Sequence, residues 1–241
     1  MDWQVIVDSL PDLLGGMWLT VQITALSVTI GLAIAVPLAI LRLHPNPAIW
    51  TPVYAFIFFF RGTPLLVQLF LIYYGSGQFS AELRAVGLWT FFREAYFCGV
   101  LTLTLNTAAY TAEILRGAIL GVPKGEIEAA RACGMRGRLL YRRIIMPKAF
   151  RLAWPAYTNE VIFLLQATSL VSVITLMDIT GVASKIAAST FAFYELYLTA
   201  AALYLVLVYG LLAVFKRIEY RLSGHLRPAV MDRDFQDPQL R

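Results

Sequence analysis

From Met17 to Leu41 the chain runs for 25 residues without a single charged side chain. As a helix this segment is about 37 Å long, more than the ~30 Å hydrocarbon core of a bilayer. Further apolar stretches occur at about 50–79, 95–115, 154–177 and 195–215. The composition agrees, with 59% of the residues hydrophobic and 15% charged, against about 25% charged in an ordinary soluble domain. The sequence therefore predicts an all-α integral membrane protein with five transmembrane helices.

The basic residues orient these spans. Arg42, the nine bases between Arg116 and Arg151, and Lys216, Arg217 and Arg221 share one side if there are five spans. The other side holds Arg84, Arg93 and Lys185. The positive-inside rule then puts the N-terminus in the periplasm and the C-terminus in the cytoplasm of a bacterial inner membrane. Residues 1–16 carry three aspartates and no base, with Pro11 and Gly15-Gly16, and read as a short interfacial helix outside the membrane. Residues 223–241 are polar and read as a cytoplasmic tail.

Several functions find no support. The bases cluster at predicted membrane edges and form no nucleic-acid face, despite a net charge of +5. No removable leader is expected, because no basic segment precedes a short apolar core and a small-residue cleavage site. Cys98 and Cys133 fall on opposite sides or inside a span, so no disulfide is expected, and His44 and His225 are too far apart for a metal site. No G-x-x-x-x-G-K-[ST] occurs, so the chain should bind neither ATP nor another cofactor. An enzyme would need clustered acids and bases within the spans, where Glu160 stands nearly alone.

The polar residues inside spans are the candidate solute contacts. Arg61-Gly62-Thr63-Pro64 interrupts the second span and predicts a break or kink. Asn159 and Glu160 lie in the fourth span, with Gln166 and Thr168 further along, and Asn106 lies in the third. An acid within a span invites an ammonium or guanidinium. The bland alternative for Glu160 is an interfacial first-turn carboxylate paired with Arg151 or Arg61. For Asn106, Gln68, Thr168 and Ser169 it is an interhelical hydrogen bond.

The loop between Arg116 and Arg151 carries a denser pattern. Glu128-Ala129-Ala130 is followed after three residues by Gly134, and after nine more by Ile144-Ile145-Met146-Pro147. Glu126 to Arg131 are mostly good helix formers, and Gly134 is placed as a left-handed cap. Glu126 and Glu128 before Arg136 and Arg138 suit a helix dipole, and Pro147 should break or bend the next segment. A small-residue helix on an inner face can dock in a groove of a soluble partner. The bland alternative is a solvated basic loop that sets topology.

This spacing resembles the cytoplasmic loop signature of binding-protein-dependent ATP-binding-cassette (ABC) importer permeases, with Met146 where Leu is usual. The segments R-G-T-P-L-L-V-Q-L from Arg61 and L-N-T-A-A-Y-T-A-E-I-L-R-G-A through Asn106, Tyr110, Glu113 and Arg116 resemble the branch for histidine, glutamate, glutamine, arginine and opines. The likeness extends from about Gly16 to Arg221 and is nearest the M-type subunits of histidine/basic amino-acid and octopine systems. It implies a type I permease fold over 17–222, with a coupling helix whose ATPase contacts are Glu128, Ala129, Ala130, Gly134, Ile144 and Pro147. It implies as partners an ABC ATPase homodimer that uses the ATP, a second, Q-type permease and a periplasmic amino-acid-binding protein, besides membrane lipid. Many glutamine and glutamate relatives resemble one another in a K-D-T-S-L run, where this chain has Gln166-Ala-Thr168-Ser-Leu. A path lacking that Lys suits basic amino acids or opines. Glutamine/glutamate-type substrates are the alternative, and a stand-alone carrier or channel is a more distant one.

Overall fold

The computed structural model describes residues 3–222, and among these it contains helices and no strand. The tail expected at 223–241 lies outside the described residues. The first helix, α1 (Trp3–Leu41), is continuous over 39 residues. Residues 3–16, expected as a separate interfacial helix, are thus its first turns. Pro11 and the Gly15-Gly16 pair do not interrupt it, and Gly16 is needed small for packing. A Cβ there would lie 2.8 Å from the carbonyl of Asp178.

The buried face of α1 reads Ser9, Leu13, Gly16, Thr20, Ile23, Ser27, Gly31, Ala35, Ala39. The steps of three and four residues place these on one stripe, and its small side chains let another backbone approach closely. That neighbour is the helix spanning Ala95–Leu120.

The second apolar stretch is not one straight span. After a turn through Asn46, which caps α2 (Pro47–Gly62) by accepting from the Ala48 amide, the chain turns sharply at Thr63-Pro64. It resumes as α3 (Leu65–Gln78), bent 105° from α2. The break follows from the sequence, since a residue before proline is driven to extended backbone. Thr63 sits at φ −114°, ψ 146°. Short helices α4 (Ser80–Ala85) and α5 (Trp89–Phe92) then lead to α6 (Ala95–Leu120).

Helix α6 is the centre of the bundle and packs against α1, α2, α3 and the helix at Met146–Ala167. Its buried face carries Thr102, Thr104, Asn106, Thr107 and Thr111 among small apolar residues. Among the described residues three helical stretches are long and apolar enough to cross a membrane, Trp3–Leu41, Gly137–Ile174 and Phe193–Arg221, and the bent α2–α3 pair qualifies as a fourth. Helix α6 is absent from this set for a physical reason. Its 26 residues are about 39 Å, but it is sheathed by other helices, so its side chains meet protein instead of lipid and can be polar.

The loop region 116–151 is largely helical. It holds the end of α6, then α7 (Lys124–Ala132) and α8 (Gly137–Leu140), and a π-helical turn at Tyr141–Ile145 leads into α9 (Met146–Ala167). Pro147 does not break this run. It occupies the first turn of α9, where the wider π turn before it absorbs the missing N–H. The fourth apolar stretch consequently begins earlier than 154 and ends in a 3-10 segment, Thr168–Ile174. The region 178–194, expected as a loop, contains α10 (Ile179–Thr190), capped by the Asp178 carboxylate, which accepts from the Gly181 amide at 2.9 Å. The last helix, α11 (Phe193–Leu222), lies at the perimeter, with few of its residues buried. Cys98 is buried and Cys133 exposed, both as free thiols.

Candidate functional site: a cavity at the broken helix and an exposed docking helix

A helix broken at membrane depth leaves carbonyls without helical partners, and each must be satisfied by protein. Two buried amides do this. Gln68 Nε2 donates to Phe60 O at 2.8 Å, to Thr63 O at 3.0 Å and to Thr63 Oγ1 at 2.8 Å. Asn106 Nδ2 donates to Gln68 Oε1 at 2.9 Å and to Phe60 O at 3.3 Å. These bonds clamp the α2–α3 elbow to α6. Tyr110, one turn on, donates to Arg61 O at 3.4 Å, and the Arg61 guanidinium lies 5.2 Å from its ring centroid.

Beside the elbow is a cavity of about 330 Å³, within the range of small-ligand sites. Thr63, Pro64 and Leu65, at the start of α3, form one wall, Asn106 and Tyr110 from α6 a second, and Glu160 and Phe163 from α9 a third. Glu160 is half-buried, hydrogen-bonded by the Thr107 side chain, and within electrostatic reach of Arg61. Thr107 in turn is held by α1, since a Cβ on Gly31 would fall 2.5 Å from Thr107 Cγ2.

Of the five residues expected along a solute path, the structure brings Glu160 and Asn106 to one cavity. Asn159 and Gln166 lie on the exposed side of α9, in register with exposed Leu152 and Phe163, and Gln166 lines a separate crevice beside α11. Thr168 is fully buried and donates to Leu165 O at 2.7 Å. Asn106 serves the elbow as well as the cavity wall, and Gln68 makes the interhelical bond expected of it, whereas the bond from Thr168 to Leu165 O lies within its own segment. Sequence reasoning left out Thr63, Pro64 and Tyr110 as cavity residues, and Thr107 as the partner of Glu160. The signal for the first two was the break itself, since discontinuous helices border binding sites in transporters.

The second site is α7. Gly134 adopts φ +82°, and the cap closes with Met135 N–H donating to Ala130 O at 3.0 Å and Gly134 N–H to Arg131 O at 2.9 Å. This is the Schellman arrangement expected of a C-terminal glycine. The helix ends at Ala132, so the base in its last turn is Arg131, and Arg136 and Arg138, expected to complement the dipole, lie beyond it. Ala130 is buried in an apolar cluster with Leu140, Ile145, Ala149 and Leu115, against which Ile144 also packs. It therefore faces the chain's own bundle, whereas Glu128, Ala129, Gly134 and Pro147 are exposed. An ion pair between Glu126 and Lys148 also ties α7 to α9. At the same end Glu113 accepts from Arg116 Nε at 2.8 Å, and Arg42 stacks on Trp50 and Tyr54.

An all-helical bundle with a cavity at a broken membrane helix, and a capped helix fastened to its base-rich end, defines a membrane transport component. Comparison with known proteins narrows the class. Residues 27–224 match the family described as binding-protein-dependent transport system inner membrane component. The chain is 45% identical over 230 residues, 95% of each sequence, to a nopaline transport system permease protein of Agrobacterium fabrum. It is 45% identical over 216 residues, 89% of this chain and 90% of the other, to a histidine/lysine/arginine/ornithine transport system permease protein of Escherichia coli. Its fold superposes with a TM-score of 0.82 and 34% identity on the crystal structure of an amino acid ABC transporter with histidines, covering 92% of this chain and 99% of that one. The chain belongs to the family of inner membrane components of binding-protein-dependent transport systems, and is a multi-pass inner membrane protein.

Proposed function

We propose that this chain is the permease subunit of an ATP-driven, binding-protein-dependent importer that moves basic amino acids or opines across the inner membrane. The observation that carries the substrate reading is Glu160, a carboxylate facing a small cavity opposite the start of α3. A helix N-terminus is the positive end of its dipole, so the two walls suit the two poles of an amino acid. Its carboxylate would lie toward Thr63-Pro64-Leu65 and a cationic group toward Glu160. The nopaline and histidine/lysine/arginine/ornithine relatives support a substrate carrying a cationic side chain as well. The placement of Gln166 outside this cavity is the specific observation that favours keeping glutamine or glutamate as a second reading. The missing Lys then bears on the exposed side of α9, and Glu160 can serve an α-amino group alone.

In this reading the five spans are α1, the α2–α3 pair, α6, α9 with its 3-10 extension, and α11. The N-terminus is periplasmic and the base-rich end cytoplasmic. Helix α7 is the coupling helix. It presents Glu128 and Ala129 to separate ATPase chains and passes their movement to the bundle through Ala130 and the Glu126–Lys148 pair. The exposed stripe of Leu152, Asn159, Phe163 and Gln166 on α9 is the surface for a second, Q-type permease that completes the path.

The test is ATPase stimulation of the purified complex in nanodiscs with its binding protein. Arginine, histidine, octopine, glutamine and glutamate are compared, with wild type beside Glu160→Gln. Basic compounds should stimulate, and Glu160→Gln should abolish the response. Equal stimulation by glutamine or glutamate would overturn the substrate class, and solute flux through the chain alone would overturn the importer reading.

A further inference from the structure

A groove of about 540 Å³ lies on the base-rich end of the bundle, where the last turn of α1 meets the start of α9. Its floor is hydrocarbon and aromatic, from Ile40, Met146 and Phe150, with Tyr141 beside them. Ile40 and Phe150 are 44% and 37% exposed although both belong to long apolar helices, so the floor is an apolar surface left open by the bundle. The rim differs. Arg138 and Arg142 both line the groove and both are exposed. Neither has an acidic partner among the described residues. Two guanidinium groups at one groove repel each other unless an anion lies between them.

We propose that this groove binds an anionic phospholipid. The phosphodiester would sit between Arg138 and Arg142, whose planar donors match phosphate oxygens in pairs. The Tyr141 ring lies at headgroup level, where tyrosine is favoured, and an acyl chain lies along Ile40, Met146 and Phe150. A soluble protein partner would satisfy the guanidiniums but leave this apolar floor unmatched, whereas a lipid matches both. Basic pockets between helices at the cytoplasmic surface are a recurrent form of headgroup site. The π turn at Tyr141–Ile145 adds a functional reason for the site. A lipid there would brace the junction through which α7 and α9 move together. The leaflet rests on the proposed orientation, but the site itself does not depend on it.

The experiment uses the assembled transporter. Retention of phosphatidylglycerol and phosphatidylcholine is read by native mass spectrometry for wild type, Arg138→Gln/Arg142→Gln, Arg142→Lys and the distant control Arg84→Gln. A photoactivatable phosphatidylglycerol is cross-linked to wild type in parallel. Wild type and Arg142→Lys should prefer phosphatidylglycerol, and the cross-link should fall on the peptide carrying Tyr141 to Phe150. The double variant should bind that lipid about thirtyfold more weakly, from about 1 kcal/mol per base at a membrane surface, and Arg84→Gln should behave as wild type. Equal retention of both lipids, equal loss in Arg84→Gln, or no cross-link in that peptide would overturn the site. So would a double variant that sheds its ATPase subunits while keeping the lipid, since the groove would then be a protein contact. Amino-acid stimulation of the same wild-type nanodiscs is read separately. Its failure would count against the transport reading and leave lipid retention unaffected.

Discussion

Replacing Gln68 by Leu tests whether the elbow is held by its polar clamp. The two side chains are close in size and Gln68 is 1% exposed, so packing changes little. The substitution removes the contacts of 2.8, 3.0 and 2.8 Å that the two Nε2 N–H groups share, and the bond accepted from Asn106 at 2.9 Å. Phe60 O keeps Asn106 at 3.3 Å, but Thr63 O loses the donor that crosses the break. Side-chain hydrogen bonds between helices in bilayers average about 0.6 kcal/mol each. A buried carbonyl left unpaired adds about 1–3 kcal/mol, giving roughly 3–5 kcal/mol in all. For a chain of this size that is a fall of about 6–20 °C in Tm, measured as loss of the assembled complex on heating. Because Thr63, Pro64 and Leu65 form a cavity wall, uptake should drop at least about tenfold in the fraction still folded, equivalent to about 1.4 kcal/mol. The control is Ser169→Ala, whose hydroxyl donates to Gln166 O three residues back at 2.8 Å and should shift Tm by less than about 2 °C. If Gln68→Leu matched wild type in Tm and uptake, the elbow would be held by Pro64 and apolar packing alone, and the clamp argument would be refuted.

Gly31→Val should cost about 1–3 kcal/mol by overpacking against Thr107. It should also weaken the response to amino acid, because Thr107 holds Glu160, and a thermal scan beside ATPase stimulation reads both. Ala129→Trp should leave Tm unchanged yet prevent co-purification of the ATPase, whereas Ala130→Leu should lower Tm by forcing a side chain into the chain's own core. The opposite pattern would mean that α7 is docked the other way round. Cys133 should react with a membrane-impermeant maleimide in inside-out vesicles and not in intact spheroplasts, with Cys98 silent in both. Labelling from outside would reverse the proposed orientation.

Much of this molecule was legible as sequence because its causes are local. An uncharged run longer than a bilayer is thick must be a helix, Gly134 at φ +82° answers a cap that only the Glu-Ala-Ala…Gly spacing requires, and Thr63-Pro64 cannot continue a helix. Pro147 was misleading because its effect depends on the turn before it, and a π turn cannot be anticipated from residue type. Residues 178–194 looked like a loop because α10 is short, and Asp178, its cap, is buried only by virtue of α1 and α11 around it. Tyr204 on α11 donates to Asp178 Oδ2 at 2.9 Å from 26 residues away.

Order along the chain is enough to make it a multi-pass helical membrane protein, to say which end is basic, and to show where a small-residue helix closes on a glycine. These are statements about hydropathy, charge and backbone preference, each set within a few turns of chain. Which polar groups face one another depends on how the helices pack. That packing separates Glu160 and Asn106, which share a cavity, from Asn159 and Gln166, which do not, and it turns Ala130 inward and Ala129 outward. Such choices depend on the close approach of α1 and α6 through Gly31 and on the 105° elbow. The first arises from contacts between segments dozens of residues apart, which no local preference encodes, and the second takes its break from Thr63-Pro64 but its fastening from Asn106, 38 residues beyond Gln68.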